Sequence, residues 1–159
     1  MKEQRISLGL VGMLTLLLLV SCLSKSKQIH SYRSIPNQTW VWGDTLLYTG
    51  QLSDSLARYQ LTIEFRHNDH YPFQNLALWY NISPTNEAAI CSDTLNFMLC
   101  NEQGQWRGRK WSNLFEGSIP ASTFTIPHSG EYTIRLLHIM RNDTLTGLYD
   151  LGVRIESVP

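Results

Sequence analysis

The strongest constraint on the fold of this chain is an alternation of period two that returns along most of its length. Tyr59, Leu61, Ile63 and Phe65 alternate with Arg58, Gln60, Thr62 and Glu64. Side chains of an extended strand point to opposite faces in turn, so this segment reads as a strand with one buried face. The same rhythm puts Leu76, Leu78, Tyr80 and Ile82 on one face, then Leu95, Phe97 and Leu99, then Tyr132, Ile134, Leu136 and Met140, and last Tyr149, Leu151, Val153 and Ile155. Turn-forming clusters separate the runs: Asn68-Asp69, Ser83-Pro84-Thr85-Asn86, Gly104, Pro127-His128-Ser129-Gly130 and Asn142-Asp143. No long stretch carries a helical period. Several strands with frequent turns predict an all-β fold, a single-domain antiparallel β-sandwich. Gly130-Glu131-Tyr132 opens a late strand, where the tyrosine either bonds backbone at a sandwich corner or is simply buried.

The first twenty-two residues obey a different pattern. Lys2 and Arg5 precede an apolar run ending Leu16-Leu17-Leu18-Leu19-Val20-Ser21-Cys22. A charged start, a short apolar stretch and a small residue before the end have the shape of a secretory signal, and the run is short for a membrane span. Leu19-Val20-Ser21-Cys22 is similar to a bacterial lipobox, in which cleavage leaves the cysteine as a lipid-modified N-terminus, palmitate among its acyl chains. The expected organisation is a lipoprotein signal peptide at 1–21, a lipidated tether at 22–28 and the sandwich at 29–159. Each buried methylene of the lipid contributes about 0.8 kcal/mol of membrane attachment. The tether Leu23-Ser24-Lys25-Ser26-Lys27-Gln28 has two lysines, no carboxylate, and Leu rather than Asp after the cysteine. By resemblance to lipoprotein sorting patterns, this predicts an outer-membrane lipoprotein whose domain faces the periplasm.

Cleavage before Cys22 leaves 138 residues with 11 Lys and Arg against 12 Asp and Glu, a formal charge of −1. The basic residues are scattered, which gives no basis for nucleic-acid binding. Cys91 and Cys100 remain. If Ala89–Cys100 is mostly one strand, they stand too far apart to bridge without a reversal at Ser92-Asp93, so two separate thiols are expected. His67-Asn68-Asp69-His70 is the best metal candidate, but it lacks a third ligand of known placement, and both histidines read as solvated turn residues. His138 falls on an apolar face and reads as a hydrogen-bonded core histidine. No nucleophile elbow, zinc-protease helix or phosphate loop occurs, and the carboxylates are dispersed. The reading therefore names no catalytic residue, metal or cofactor, and a small hydrolase is the least favoured alternative.

A set of motifs in order carries a family resemblance. Arg66-His67-Asn68-Asp69-His70-Tyr71-Pro72-Phe73-Gln74-Asn75-Leu76, Asp93-Thr94-Leu95 before Gly104-Gln105-Trp106-Arg107-Gly108, Gly130-Glu131-Tyr132 before Met140-Arg141, and Leu145–Gly147 before Leu151-Gly152-Val153-Arg154-Ile155-Glu156 together resemble the gliding-motility lipoprotein GldH family of Bacteroidota. His67 departs from the family's Arg-Asn pair, as a one-residue loop difference would produce. The resemblance implies a non-enzymatic lipoprotein of the gliding machinery, whose components overlap functionally with type IX secretion. It implies other machinery proteins as partners and supplies no catalytic residues.

Most motif residues have a structural explanation. Pro72 fits a turn into the next strand and Asn75 a backbone bond there. Gly104 and Gly108 allow tight backbone around Trp106, whose ring packs on the core. Arg154, outward on the last strand, either pairs with a carboxylate or meets a partner. Trp40, Trp42, Trp79 and Trp111 are not placed by the pattern. Trp79 is out of phase with the core, so it either contacts a protein partner or a sugar ring, or is covered by an edge or loop. The alternative function is accordingly a carbohydrate-binding sandwich lipoprotein. Asp44-Thr45-Leu46, Asp54-Ser55-Leu56, Asp93-Thr94-Leu95 and Asp143-Thr144-Leu145 are similar to the O-glycosylation acceptor of Bacteroidota, which marks Thr45, Ser55, Thr94 and Thr144. The same triplets also suit turn-to-strand junctions.

Overall fold

The computed structural model describes residues 27–159; the signal segment, Cys22 and the first part of the tether lie outside the described residues. Eleven strands follow in order: β1 (Lys27–Ser34), β2 (Thr39–Val41), β3 (Leu46–Leu52), β4 (Arg58–Asn68), β5 (Asn75–Pro84), β6 (Cys91–Met98), β7 (Arg109–Trp111), β8 (Leu114–Phe124), β9 (Gly130–His138), β10 (Thr144–Thr146) and β11 (Leu148–Val158). A short 3-10 turn at Pro36–Gln38 links β1 to β2. Lys27 and Gln28, read from sequence as tether, already belong to β1.

The strands form a five-stranded sheet in the order β1-β11-β4-β8-β7, a four-stranded sheet in the order β3-β9-β5-β6, and a small β10-β2 ladder. Every pairing is antiparallel. The alternating residues of the sequence meet between the sheets. Leu61, Ile63, Val153 and Ile155 of one sheet and Leu76, Leu78, Ile82, Ile134 and Leu136 of the other have no exposed surface. Burying each such side chain contributes about 1.5–3 kcal/mol, which is why the register is held.

Polar groups in this core are mostly satisfied. The Tyr132 hydroxyl donates to the His128 carbonyl at 2.7 Å, four residues upstream, which makes the sandwich corner. The Tyr48 hydroxyl crosses to the Leu151 carbonyl at 2.9 Å, and that of Tyr71 reaches the Asn75 carbonyl at 2.9 Å. Cys91 and Cys100 are free thiols, one half-buried and one buried.

Three local expectations are corrected. His67 is fully buried rather than solvated: its ring lies among Phe65, Tyr71, Trp106 and Phe115, with Trp106 edge-on at 4.6 Å. It is the last inward residue of β4 before the turn, so the strand outlasts the visible alternation by one step. His138 is buried as expected, but neither ring nitrogen has a hydrogen-bond partner among the described residues. The Asn75 side chain donates to Asn96 at 2.7 Å rather than to backbone. Asn68 takes the turn role instead, its Oδ1 accepting from the His70 N–H at 2.9 Å.

Antiparallel pairing gives the sandwich two distinct ends. One carries Lys27, the β3–β4 turn, the β5–β6 and β8–β9 connections and Val158. The other carries the 42–45 turn, the 69–74 and 99–108 loops, the β7–β8 hairpin tip and the 139–143 loop. An eleven-residue strand such as β4 spans about 36 Å between them.

Candidate functional site

The outer face of the four-stranded sheet is divided. Towards the Lys27 end it is polar: the Arg135 guanidinium donates to Ser83 Oγ at 2.9 Å and to Asn81 Oδ1 at 3.4 Å. Towards the far end it is apolar. Trp79 stands there between Leu137 and Thr94 in register, with Leu47, Met98 and Ile139 each about two-fifths to one-half exposed. Trp79 itself is half-buried on the outer face. Both outward placement and partial cover therefore hold.

Beyond Trp79 the face runs into a groove of about 400 Å³ lined by Phe73, Ala77, Ile139 and Met140 and by Asn75, Asn96, Arg141 and Asn142. The Ile139 N–H donates to the Ala77 carbonyl at 2.9 Å, which carries the sheet into the 139–143 loop and exposes Ile139 outward. Apolar walls beside amide and guanidinium groups suit a ligand that offers both apolar surface and hydrogen-bonding groups.

Several segments that carry the motif resemblance, Arg66–Leu76, Gly104–Gly108, Met140-Arg141 and Leu145–Gly147, meet at this end, whereas Gly130-Glu131-Tyr132 opens β9 at the Lys27 end. Gly147 has φ +85°, and a Cβ there would meet the Tyr71 nitrogen at 2.6 Å and Asn68 Oδ1 at 2.7 Å. The Asn68 N–H donates to the Gly147 carbonyl at 2.9 Å. Gly108, at φ +97°, leaves no room for a Cβ against the Glu116 carbonyl. Trp106 packs on His67 and Phe115, as expected of a ring covering the core.

The outer face of the five-stranded sheet is an ionic network. Glu64 accepts from the Tyr32 hydroxyl, from Arg154 Nε at 2.8 Å, and pairs with His30 Nε2 at 2.9 Å. Burial pushes the Glu64 carboxyl up, but bonds from Tyr32, Arg154 and His30 outweigh it and hold it below the usual range. Burial, and then the bond to Glu64, push the Tyr32 hydroxyl well up. Arg154 also donates to Glu156, so the carboxylate-pairing reading of Arg154 describes its geometry. Arg66 grips Asp150 with Nε at 2.8 Å and with its second nitrogen, its guanidinium 5.3 Å from the Tyr32 ring.

Trp40 is buried, its Nε1–H donating to the Asp44 carbonyl at 2.8 Å, whereas Trp42 and Trp111 are largely exposed at the far end. Thr45, Ser55, Thr94 and Thr144 are all exposed: Thr45 and Thr144 at the far end, Thr94 beside Trp79, Ser55 at the Lys27 end. The groove and the His30–Tyr32–Glu64 cluster escaped the sequence reading, since both are assembled across strands distant in the chain. The outward phase of Ala77 with Trp79 was the available signal.

The molecule is thus an all-β sandwich with an ionic network on one outer face and an apolar half-face ending in a groove on the other. The GldH lipoprotein family model matches residues 27–155, and the chain belongs to that family. It is 26% identical over 152 residues to the gliding motility lipoprotein GldH of Flavobacterium johnsoniae, covering 91% of this chain and 92% of that protein. It is 28% identical over 152 residues to a gliding motility lipoprotein GldH homolog of Christiangramia forsetii, covering 89% and 90%. Among solved structures, dimeric latent PorU from Porphyromonas gingivalis aligns with 86% of this chain and 13% of its own, at 10% identity and a TM-score of 0.32. The VP2 subviral particle of infectious bursal disease virus scores 0.33 at 11% identity, over 86% of this chain and 34% of its own. Likeness at that level carries no argument.

Proposed function

We propose that this chain is a non-enzymatic component of the gliding-motility apparatus, functionally linked to type IX secretion. In this reading it is made with a signal peptide at 1–21, acylated on Cys22 and held to the outer membrane with its domain in the periplasm. The observation that carries the reading is the family match across residues 27–155, with relatives named for gliding motility over about nine-tenths of both chains. The part played is binding rather than catalysis.

The working surface in this reading is the apolar half-face from Trp79 to the groove, which docks a machinery protein. Arg154 serves it indirectly by holding Glu64 and Glu156 and stiffening the opposite sheet. Deleting the gene in its host is expected to impair surface movement or type IX export; normal movement and normal secretion together overturn the proposal. Trp79→Ala and Arg141→Ala are expected to reduce co-purification of envelope proteins while leaving the melting temperature nearly unchanged.

A second reading, a carbohydrate-binding module, is favoured by one observation: Trp79 stands near a groove rimmed by Asn75, Asn96 and Arg141. Aromatic faces and amide groups are what sugar rings need. A glycan array on the purified lipoprotein decides it, and no binding removes this reading. Thr45, Ser55, Thr94 and Thr144 are the candidate O-glycan acceptors; an intact mass from the native host equal to polypeptide plus lipid removes that idea.

A further inference from the structure

The exit point of the tether lies beside an apolar turn tip. β1 begins at Lys27, five residues after Cys22. Five extended residues reach at most about 18 Å, half the length of the sandwich. With Cys22 in a leaflet, the Lys27 end stays close to the bilayer, and the groove end of an upright domain stays away from it.

β3 packs edge to edge with β1 at this end: a Cβ on Gly50 would lie 2.6 Å from the Ile29 side chain. Leu52 ends β3 two residues later, so the following turn, Ser53–Ala57, flanks the place where the tether leaves. That turn is fixed. The buried Tyr59 hydroxyl accepts from the Asp54 N–H at 3.1 Å and donates to the Asp54 carbonyl at 2.9 Å. Asp54 Oδ1 accepts from the Leu56 N–H at 2.9 Å, and the Ala57 N–H donates to the Asp54 carbonyl at 3.3 Å. At its apex Leu56 is 94% exposed, more than any other large apolar residue described.

The neighbouring connections at the same end bring exposed Ala88, Ala89 and Pro127. The charged groups described there are of both signs: Arg58 against Asp54, Glu131 and the Glu87–His128 pair. Such an end has no strong preference for anionic lipid and meets a leaflet through apolar contact.

We propose that this end of the sandwich is a membrane seat, in which the Ser53–Ala57 turn rests on the anchoring leaflet with Leu56 inserted at its acyl boundary. The seat rests on the reading that Cys22 is lipidated. A single leucine adds too little to bind a membrane alone, but next to a lipid anchor it acts within one molecule and sets orientation instead. The domain then stands upright and presents the groove about 36 Å from the bilayer.

The test uses the processed, lipid-bearing protein reconstituted in phosphatidylethanolamine–phosphatidylcholine vesicles. Cys91→Ala and Cys100→Ala provide the background, checked for an unaltered β-sheet spectrum. A polarity-sensitive fluorophore is attached in turn through Leu56→Cys, Asn96→Cys and Ser112→Cys. Nitroxide lipids are expected to quench the label at 56 at least threefold more than either other label. Equal quenching at 56 and 112 overturns the seat, and stronger quenching at 96 shows the domain lying on its apolar face instead. Vesicle flotation reads the anchor separately: protein that does not float removes the lipidation reading and the seat with it, whereas floating protein with an unquenched 56 label removes only the seat. A glycan found on Ser55 also overturns it, because a sugar at the turn tip holds Leu56 off the leaflet.

Discussion

Gly147 is the residue on which the far end closes. Its positive φ and its contact with Tyr71 and Asn68 leave no place for a side chain. Gly147→Ala is expected to cost about 2–3 kcal/mol from backbone strain and overpacking together, read as a lower urea midpoint with unchanged slope. The buried histidines give a second residue-scale expectation. Burial pushes both His67 and His138 below the ordinary imidazole value, only partly opposed by nearby backbone carbonyls. The unfolded chain therefore takes up protons first. The stability linked to neutral, buried rings is complete above about pH 6.5 and is lost as pH falls from there through the lowered folded values. Glu64 follows the same sign in a lower window, beginning near its ordinary 4.5. His128, raised by Glu87 and then by the Ser129 carbonyl, has the opposite sign, but its side chain is about half exposed and its pairing is screened. Melting temperature is expected to fall between pH 7 and pH 5, and His67→Leu with His138→Leu to flatten that fall. An unchanged slope in the double variant contradicts it.

At the scale of elements, legibility followed the packing. β4, β5, β6, β9 and β11 were visible because each sets a run of alternate apolar residues against the core. β8 was not, for a specific reason: its pairing slips between Leu61/Ser122 and Thr62/Pro120, leaving Ala121 as an extra residue. That bulge changes the phase, so Ile119 and Phe124 face Ile63 and Tyr59 although they are five positions apart, an odd offset. β1 hides because it is an edge strand whose inward positions are Ile29, Ser31 and Arg33, and Arg33 Nε caps the sandwich edge by donating to the Leu47 carbonyl at 2.8 Å. In β3 the alternation is broken by Gly50, where β1 approaches. For the site, sequence marked Trp79 but not the groove, since Phe73 and Arg141 come from two separate loops and Asn96 from strand β6, all distant in the chain. The corner tyrosine gives a test at this scale. Tyr132→Phe removes only the bond to the His128 carbonyl and is expected to cost about 1 kcal/mol, measured by denaturant unfolding; no loss makes Tyr132 a packing residue only.

For the whole molecule, the two ends give the proposed lipoprotein a direction. Lys27, where the described chain begins, and Leu56 belong to one end, and the 69–74, 99–108 and 139–143 loops, the groove, Trp42 and Trp111 gather at the other. In the proposed arrangement, the anchored domain presents its groove end away from the anchoring leaflet. Cys22→Ser removes the acyl site, and the expected outcome is loss of the protein from the membrane fraction or accumulation of the unprocessed precursor. Unchanged partitioning and mass contradict lipidation at Cys22. Orientation has its own measurement. If the domain faces the periplasm as proposed, a protease added to intact cells is expected to leave it whole. After the outer membrane is opened, cleavage is expected first in the 99–108 and 139–143 loops and latest in the Ser53–Ala57 turn, which the leaflet covers. Digestion in sealed cells places the domain on the cell surface instead, where the groove meets whatever the cell touches rather than a periplasmic partner.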